Sequence, residues 1–211
     1  MKYLLTIGFK GFRMDMAEHV PETLFEGIPK DTFIVGEVWT TMNYGHDGRL
    51  AYDQDNHRQR IMNYVDRHDG ICSAFDFTTK GILQEALTKN EYYRLKDNMN
   101  RPAGVNGWWG EKAVTFIDNH DTGGQNQWVF SHDMNTILRG YAYIMSHPGL
   151  PCVYIDHMND AIIDMIQIRQ RCLGELQESE LMIQDAGDIY QSVYGNLACS
   201  INHDSYKLWV V

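Results

Sequence analysis

The chain has 211 residues, of which 44% are hydrophobic, and it carries 28 acidic and 18 basic side chains. The net charge of −10 argues against a nucleic-acid-binding protein, because phosphate backbones need basic surfaces. No run of about 18 or more apolar residues predicts a membrane span, so a soluble protein with a real hydrophobic core is expected.

The first residues, Met1 to Ile7, faintly imitate a signal peptide. Their apolar part is too short, and no small-residue cleavage site follows it. We therefore predict the end of a helix that enters a strand, and the compartment stays open.

Up to residue 174 the pattern alternates between short apolar runs and longer amphipathic stretches, which is typical of an α/β domain. One predicted helix is interrupted by Pro21, another opens at Thr78, and a third is capped by Ser131 or Asp133 and ends at His147. The predicted strands are 9–14, 32–38, 72–77, 113–117 and 151–155. The first two of these helices are predicted at 21–27 and 79–88, and two further helices are predicted at 56–67 and 159–172.

Beyond Gly174 the sequence changes to short alternating runs separated by Gly-, Asn- and Asp-rich turns. This pattern predicts a small antiparallel sheet with strands at 181–183, 189–194, 197–201 and 206–211. The expected domains are therefore 1–174, an α/β unit, and 175–211, an all-β unit.

Four cysteines, Cys72, Cys152, Cys172 and Cys199, are widely spaced and include no C-x-x-C pair. The spacing matches neither a zinc site nor a dense disulfide scaffold. Buried free thiols are predicted, and no residue is assigned to a metal.

Three segments leave an apolar stretch and end in a carboxylate, at Asp15, Glu37 and Asp121. In a (β/α)8 barrel the chemistry lies at the carboxyl ends of parallel strands, so such acids point into one active-site mouth. Glu37 follows Asp15 by 22 residues, which is close to one strand-helix unit of about 30 residues or fewer. The pattern favours a barrel glycosidase.

The same segments, Gly11-Phe12-Arg13-Met14-Asp15, Gly36-Glu37-Val38-Trp39 and Phe116-Ile117-Asp118-Asn119-His120-Asp121, resemble three of the four short conserved blocks of the α-amylase family of glycoside hydrolases. The stretches 55–61, 78–83, 104–109 and 140–149 resemble its plant-type branch. The resemblance runs from Ile7 to the carboxyl end.

This resemblance implies the fourth to eighth strands of a (β/α)8 TIM barrel, followed by a truncated antiparallel β domain. The first three strands, and the loop domain with most ligands of the Ca2+ ion expected in the family, have no counterpart. Five parallel strands cannot close into a barrel and leave exposed edges. A missing barrel half or self-association would complete the fold.

By resemblance Asp15 is the nucleophile, Glu37 the general acid and then base, and Asp121 the carboxylate that supports the transition state. Retaining glycosidases need one low-pKa and one higher-pKa carboxylate roughly 5 Å apart. Arg13, two residues before Asp15 on the same strand face, can keep Asp15 ionised by charge-assisted hydrogen bonds.

Arg13 is also assigned to substrate binding by the resemblance, together with three more residues. His120 would bind sugar hydroxyls, and Trp39 offers an apolar face for a pyranose ring. His19 is assigned as well, although it follows Glu18 where family members often carry Lys or Arg. Asn119 and Thr122 are expected to shape the turn around His120.

Each assignment has a competing interpretation. Arg13 and Asp15 alone would read as a structural ion pair, Glu37 as a solvated loop acid, and Asp121 with His120 as a helix N-cap. The pair Trp108-Trp109 is equally well explained as a sugar platform or as a packing cluster.

The resemblance implies retaining endo-hydrolysis of α-1,4-glucosidic bonds in starch or maltooligosaccharides, with an α-glucan as the partner. Two alternatives stay open. One is a truncated, non-catalytic homologue that binds glucan or a partner. The other is a transglycosylase or isomaltosidase that uses the same acids, because carboxylates alone do not choose between water and sugar as the acceptor.

Overall fold

Five parallel strands form one sheet, side by side in chain order, in the computed structural model, which describes residues 1–176 and 179–211. This confirms the predicted partial barrel with its separate antiparallel sheet. The strands are shorter than predicted: β1 begins two residues later than expected, and the other four end earlier. They are β1 (Gly11–Met14), β2 (Phe33–Gly36), β3 (Ser73–Phe75), β4 (Ala113–Thr115) and β5 (Leu150–Pro151).

The second sheet is an antiparallel meander in which each strand pairs with the next. Its four strands lie where alternation predicted them, and the first extends to Ala186. They are β6 (Leu181–Ala186), β7 (Tyr190–Tyr194), β8 (Leu197–Ile201) and β9 (Tyr206–Val210).

Five α-helices accompany the strands in the described part of the chain, and the one expected at the amino terminus is present. Asp76, and not Thr78, caps the third helix, since its Oδ1 accepts the Thr79 N–H at 2.8 Å. Asp133 caps the fourth by accepting the Thr136 N–H at 2.9 Å. The helices are α1 (Lys2–Thr6), α2 (Asp55–Arg67), α3 (Phe77–Lys89), α4 (Met134–Met145) and α5 (Asp160–Leu176).

The helix predicted at 21–27 is wrong. Two short 3-10 turns, Ala17–His19 and Glu22–Phe25, occupy this region instead. Pro21 keeps the preceding Val20 extended, and Gly27 has a φ of +67°. Too few residues remain between them for an α-helix.

The last predicted strand of the first sheet is also shorter than expected. Cys152 still donates its N–H to the Thr115 carbonyl at 2.7 Å, but the chain then enters a 3-10 turn at Ile155–His157. Cys152 is exposed beside this edge strand, so the prediction of a buried thiol is wrong there. It is confirmed for Cys72, Cys172 and Cys199, and all four thiols are free.

A buried histidine just beyond helix α4 joins that helix to the second sheet. His147 Nδ1 lies 2.7 Å from the Tyr143 carbonyl, and Nε2 lies 2.6 Å from Tyr190 Oη on β7. Burial lowers the pKa of His147 to about 3, so the ring is neutral. Nδ1 then donates to the carbonyl and Nε2 accepts from the Tyr190 hydroxyl, which fixes the meander against α4.

Within the two described ranges, no helix is long and apolar enough to cross a membrane.

Gly36 is the last residue of β2 and lies against the ring of Tyr64 on α2. A Cβ at this position would meet Tyr64 Oη at 2.5 Å. We expect Gly36→Ala to lower the free energy of unfolding by about 1–3 kcal/mol, because the site is already fully packed. Urea unfolding of the purified chain measures this change.

Gly174 on α5 is the matched control, since nothing lies within 4 Å of the Cβ it lacks. Gly174→Ala should leave stability unchanged or raise it by up to about 1 kcal/mol. Equal stability of the two variants would contradict the packing argument at Gly36.

Candidate active site

Three carboxylates meet at the carboxyl edge of the parallel sheet. Asp15 follows β1 directly, Glu37 follows β2 directly, and Asp121 lies in the turn beyond β4. The parallel pairing aligns Met14 with Gly36, and the Glu37 N–H donates to the Met14 carbonyl at 2.9 Å. The first two acids are therefore neighbours because their strands are in register.

Arg13 connects the carboxylates. Its Nη1 lies 2.8 Å from Oδ1 of Asp15, and its Nη2 lies 2.8 Å from Oε1 of Glu37. The same Nη2 is 4.0 Å from Oδ2 of Asp121. The Arg13–Asp15 pair thus belongs to a larger cluster with one guanidinium at its centre.

The two acids nearest Arg13 differ in their exposure to water. The side chain of Asp15 is 68% exposed, whereas that of Glu37 is only 6% exposed. Hydrogen bonds from Arg13, followed by one with Glu37, lower the pKa of Asp15 below its ordinary value of 3.8. Burial raises the pKa of Glu37 above its ordinary value of 4.5, against the attraction of Arg13. Glu37 is not a solvated loop acid.

The turn that carries Asp121 is held by its neighbours. Asn119 Oδ1 accepts the N–H groups of Asp121 and Thr122, each at 2.9 Å, and Thr122 Oγ1 accepts the Asn119 N–H at 3.0 Å. His120 Nε2 lies 3.1 Å from Asp121 Oδ2. No helix begins at this turn, so the N-cap interpretation is wrong, and Asn119 and Thr122 shape the loop as expected.

Trp39 lies two residues beyond Glu37 and is half-buried. Its ring stacks on Phe77 at a centroid distance of 5.1 Å and lies 6.0 Å from the ring of Trp128. His19 is exposed in the turn after Asp15. Among the described residues, no hydrogen bond or ion pair joins the His19 imidazole to the carboxylates.

The pair Trp108-Trp109 packs against the protein. The buried guanidinium of Arg58 lies 3.6 Å above the ring of Trp108. Trp109 packs on the core cluster that contains Val65 and Cys72. The structure favours the packing interpretation.

Two buried residues beside the site, Lys80 and Asp118, were not predicted from the sequence. Lys80 Nζ lies 3.5 Å from Asp118 Oδ1, and both side chains are fully buried. Asp118 stands inside the block that carries Asp121, and Lys80 is a charged residue within a predicted helix. A charge on an otherwise apolar helix face was the only signal available.

The described parts of the chain contain no group of three or more His, Cys, Asp or Glu side chains that could hold a metal ion. A hard cation such as Ca2+ prefers six to eight oxygen ligands, often from several carboxylates. The described residues do not supply such a set, so they offer no site for the expected Ca2+ ion. No proposed chemical step depends on that ion.

Comparison with known proteins shows which sequences are similar to this chain. Probable alpha-amylase 2 of Arabidopsis thaliana is 44% identical over 208 residues, which cover 92% of this chain and 49% of the relative. Alpha-amylase type B isozyme of Hordeum vulgare is 41% identical over 116 residues, which cover 52% of this chain and 73% of the relative. No family model matches the sequence.

Solved structures share the fold. An alpha-amylase from Malbranchea cinnamomea aligns with a TM-score of 0.70 at 16% identity, covering 96% of this chain and 46% of that one. The chain spans about half the length of this structure and of the Arabidopsis relative.

Removing the central guanidinium should raise the pKa values of both acids. We expect Arg13→Leu to raise the pKa of Asp15, which loses its main hydrogen-bond donor, and to raise that of Glu37 further. Carbon-13 NMR titration of the side-chain carboxyls measures both midpoints.

Arg49→Leu is the matched control, because Arg49 pairs with Glu91 away from the cluster at an Nη2–Oε1 distance of 2.6 Å. It should leave Asp15 and Glu37 unchanged. Unaltered midpoints in Arg13→Leu would show that Arg13 does not set these pKa values.

Proposed function

This chain belongs to the α-amylase family of glycoside hydrolases, and we propose from that premise that it carries out retaining endo-hydrolysis of α-1,4-glucosidic bonds in starch and related glucans. The observation that carries the proposal is the pair Asp15 and Glu37. One arginine binds both carboxylates, while their pKa values are shifted in opposite directions. A retaining glycosidase needs an ionised carboxylate as nucleophile beside a second carboxyl group whose pKa is raised.

Asp15 is the proposed nucleophile. Its ionised carboxylate attacks the anomeric carbon while Glu37 donates its proton to the departing glycosidic oxygen, which leaves a covalent glycosyl ester on Asp15. Glu37, now ionised, takes a proton from a water molecule that attacks the same carbon. The sugar leaves with retained configuration, Asp15 is ionised again, and Glu37 is protonated again.

Asp121 and His120 are proposed to bind the distorted sugar. Asp121 lies 4.0 Å from Nη2 of Arg13, beside the other two acids, where its charge can stabilise positive charge that develops on the ring. Trp39 presents the part of its ring not packed on Phe77, and Arg13 and His19 complete the proposed contacts. These roles rest on position and chemistry together with the family resemblance.

The α-glucan is the proposed partner, with a complementary barrel half or a second copy completing the sheet. Among the described strands, β1 and β5 each have one hydrogen-bonded neighbour. We also retain the division into an α/β domain at 1–174 and an all-β domain at 175–211, with α5 running two residues past that boundary.

The alternative of glucan binding without turnover is favoured by these unpaired sheet edges. It predicts a folded chain that binds maltoheptaose and releases no product. A transglycosylase would instead give oligosaccharides longer than the substrate. An isomaltosidase would release product from α-1,6-linked isomaltooligosaccharides but not from maltoheptaose.

Replacing the proposed acid should slow hydrolysis strongly. We expect Glu37→Gln to lower kcat on maltoheptaose by about 10²- to 10⁴-fold, because the amide cannot protonate the leaving oxygen. Reducing-sugar release measures the rate, and proton NMR of the first product shows whether its anomeric configuration is retained.

Glu26→Gln is the control, since Glu26 is an exposed acid in the loop before β2. It should retain full activity. Unchanged hydrolysis by Glu37→Gln would refute the assignment of Glu37 as the general acid.

The dependence of the rate on pH should follow the two shifted pKa values. Activity needs Asp15 ionised and Glu37 protonated, so kcat/KM should fall below the lowered pKa of Asp15 and above the raised pKa of Glu37. A rate profile on maltoheptaose between pH 2 and 9 measures both limbs. In Glu37→Gln the alkaline limb should disappear from the residual activity, and its persistence would assign that limb to another group.

A further inference from the structure

The buried pair Lys80 and Asp118 lies beneath the acid cluster, out of reach of solvent. Lys80 Nζ is 3.5 Å from Asp118 Oδ1 and donates a hydrogen bond to the Trp128 carbonyl at 2.8 Å. A buried ion pair adds little net stability, because the loss of hydration offsets most of the attraction between the charges. Stability alone therefore does not account for a lysine at this position.

Asp118 is tied to the turn that carries Asp121. Its Oδ1 accepts the Thr122 hydroxyl at 2.8 Å, and the same hydroxyl oxygen accepts the Asn119 N–H. Asn119 in turn holds the Asp121 N–H. A displacement of the Asp118 carboxylate would therefore pass through three hydrogen bonds to the backbone of Asp121.

Lys80 is also connected to the loop of Glu37. Its ammonium lies 4.7 Å from the ring centroid of Trp128, in addition to its bond with the Trp128 carbonyl. The Trp128 ring contacts Trp39, which lies two residues beyond Glu37. The Lys80 ammonium group thus contacts both Asp118, which holds the turn of Asp121, and Trp128, which packs against the loop of Glu37.

Among the groups around Asp118, one cation balances the charge of its carboxylate. The Phe130 N–H lies 3.2 Å from each Asp118 oxygen, and His157 Nε2 lies 3.7 Å from Oδ2. Burial lowers the pKa of His157, and it lowers that of Lys80 to about 8, with Asp118 opposing the shift. Lys80 is therefore the cation that balances Asp118 near neutral pH.

We propose that Lys80 and Asp118 are positioning residues that hold Asp121, and through Trp128 the loop of Glu37, in the geometry needed for glycoside hydrolysis. This inference rests on the proposed function for its effect on rate. The fixed turn itself is independent of any activity, so the two can be tested apart.

Lys80→Met keeps the length of the side chain and removes the ammonium. We expect amide hydrogen exchange at Asn119, Asp121 and Thr122, followed by NMR, to become at least about tenfold faster, with exchange in β7 and β8 unchanged. On maltoheptaose, kcat should fall by about 10²-fold with little change in KM, because the acids are misplaced while most sugar contacts stay.

Lys89→Met is the matched control on the same helix. Lys89 pairs with Glu85 at an Nζ–Oε1 distance of 2.6 Å on the outer face of α3. Its replacement should change neither exchange at the turn nor kcat. Exchange that rises uniformly across the molecule in Lys80→Met, or that does not change at the turn, overturns the proposal.

A charge-balanced variant covers the case in which Lys80→Met fails to fold. Lys80→Met combined with Asp118→Asn removes both charges of this pair, yet the new amide oxygen can still accept the Thr122 hydroxyl. The proposal expects this variant to fold with a loosened turn and a lowered kcat. The proposal is overturned if the folded double variant has wild-type exchange and kcat, or if both variants fail to fold. Either result would show that the role of the pair is purely structural.

The proposed function can fail separately. If the unmodified chain releases no product from maltoheptaose, hydrolysis is refuted for this chain, and the exchange rates at the turn alone decide whether the pair fixes Asp121. Local loosening in Lys80→Met would then still support positioning, and its absence would still overturn it.

Discussion

The acid cluster depends on the placement of one guanidinium between carboxylates that would otherwise repel one another. Arg13 can reach Asp15 and Glu37 together because β1 and β2 are parallel and in a single register, with Arg13 opposite Val35. A slip of one residue would turn the side chains of one strand to the other face of the sheet. Backbone pairing between two four-residue strands therefore sets the electrostatics of the site.

Helix α3 supports this edge of the sheet from below. At its first turn Asp76 is fully buried and accepts the N–H groups of Thr79 and Asn106, which joins the helix to the loop before β4. One turn further along, Lys80 meets Asp118 at the end of β4. The helix thus contacts the segments on either side of β4 through charged groups, which have stricter geometry than apolar packing.

Much of the fold follows from hydrophobic pattern alone, since all five parallel strands and the meander lie where short apolar runs predicted them. The hydrophobic pattern gave a wrong prediction where backbone restrictions decide the structure, as at Pro21. It also predicted too long a strand where β5 ends early at the edge of the sheet. The three acids could be picked out because each follows a strand. Lys80 could not, because its role depends on Asp118 and Trp128, which are 38 and 48 residues away in the sequence.

Asp15 and Glu37 differ in exposure and in pKa because they follow strands at different places in the sheet. Glu37 follows an inner strand and is buried between its neighbours, while Asp15 follows β1, which has a paired strand on one side only among the described residues. Solvent and Arg13 together keep Asp15 ionised. Any element that covered this edge would desolvate the carboxylate and raise its pKa. An element that completes the sheet beside β1 must therefore leave Asp15 in contact with water or bring further hydrogen-bond donors, if the pKa values of the two acids are to stay shifted in opposite directions.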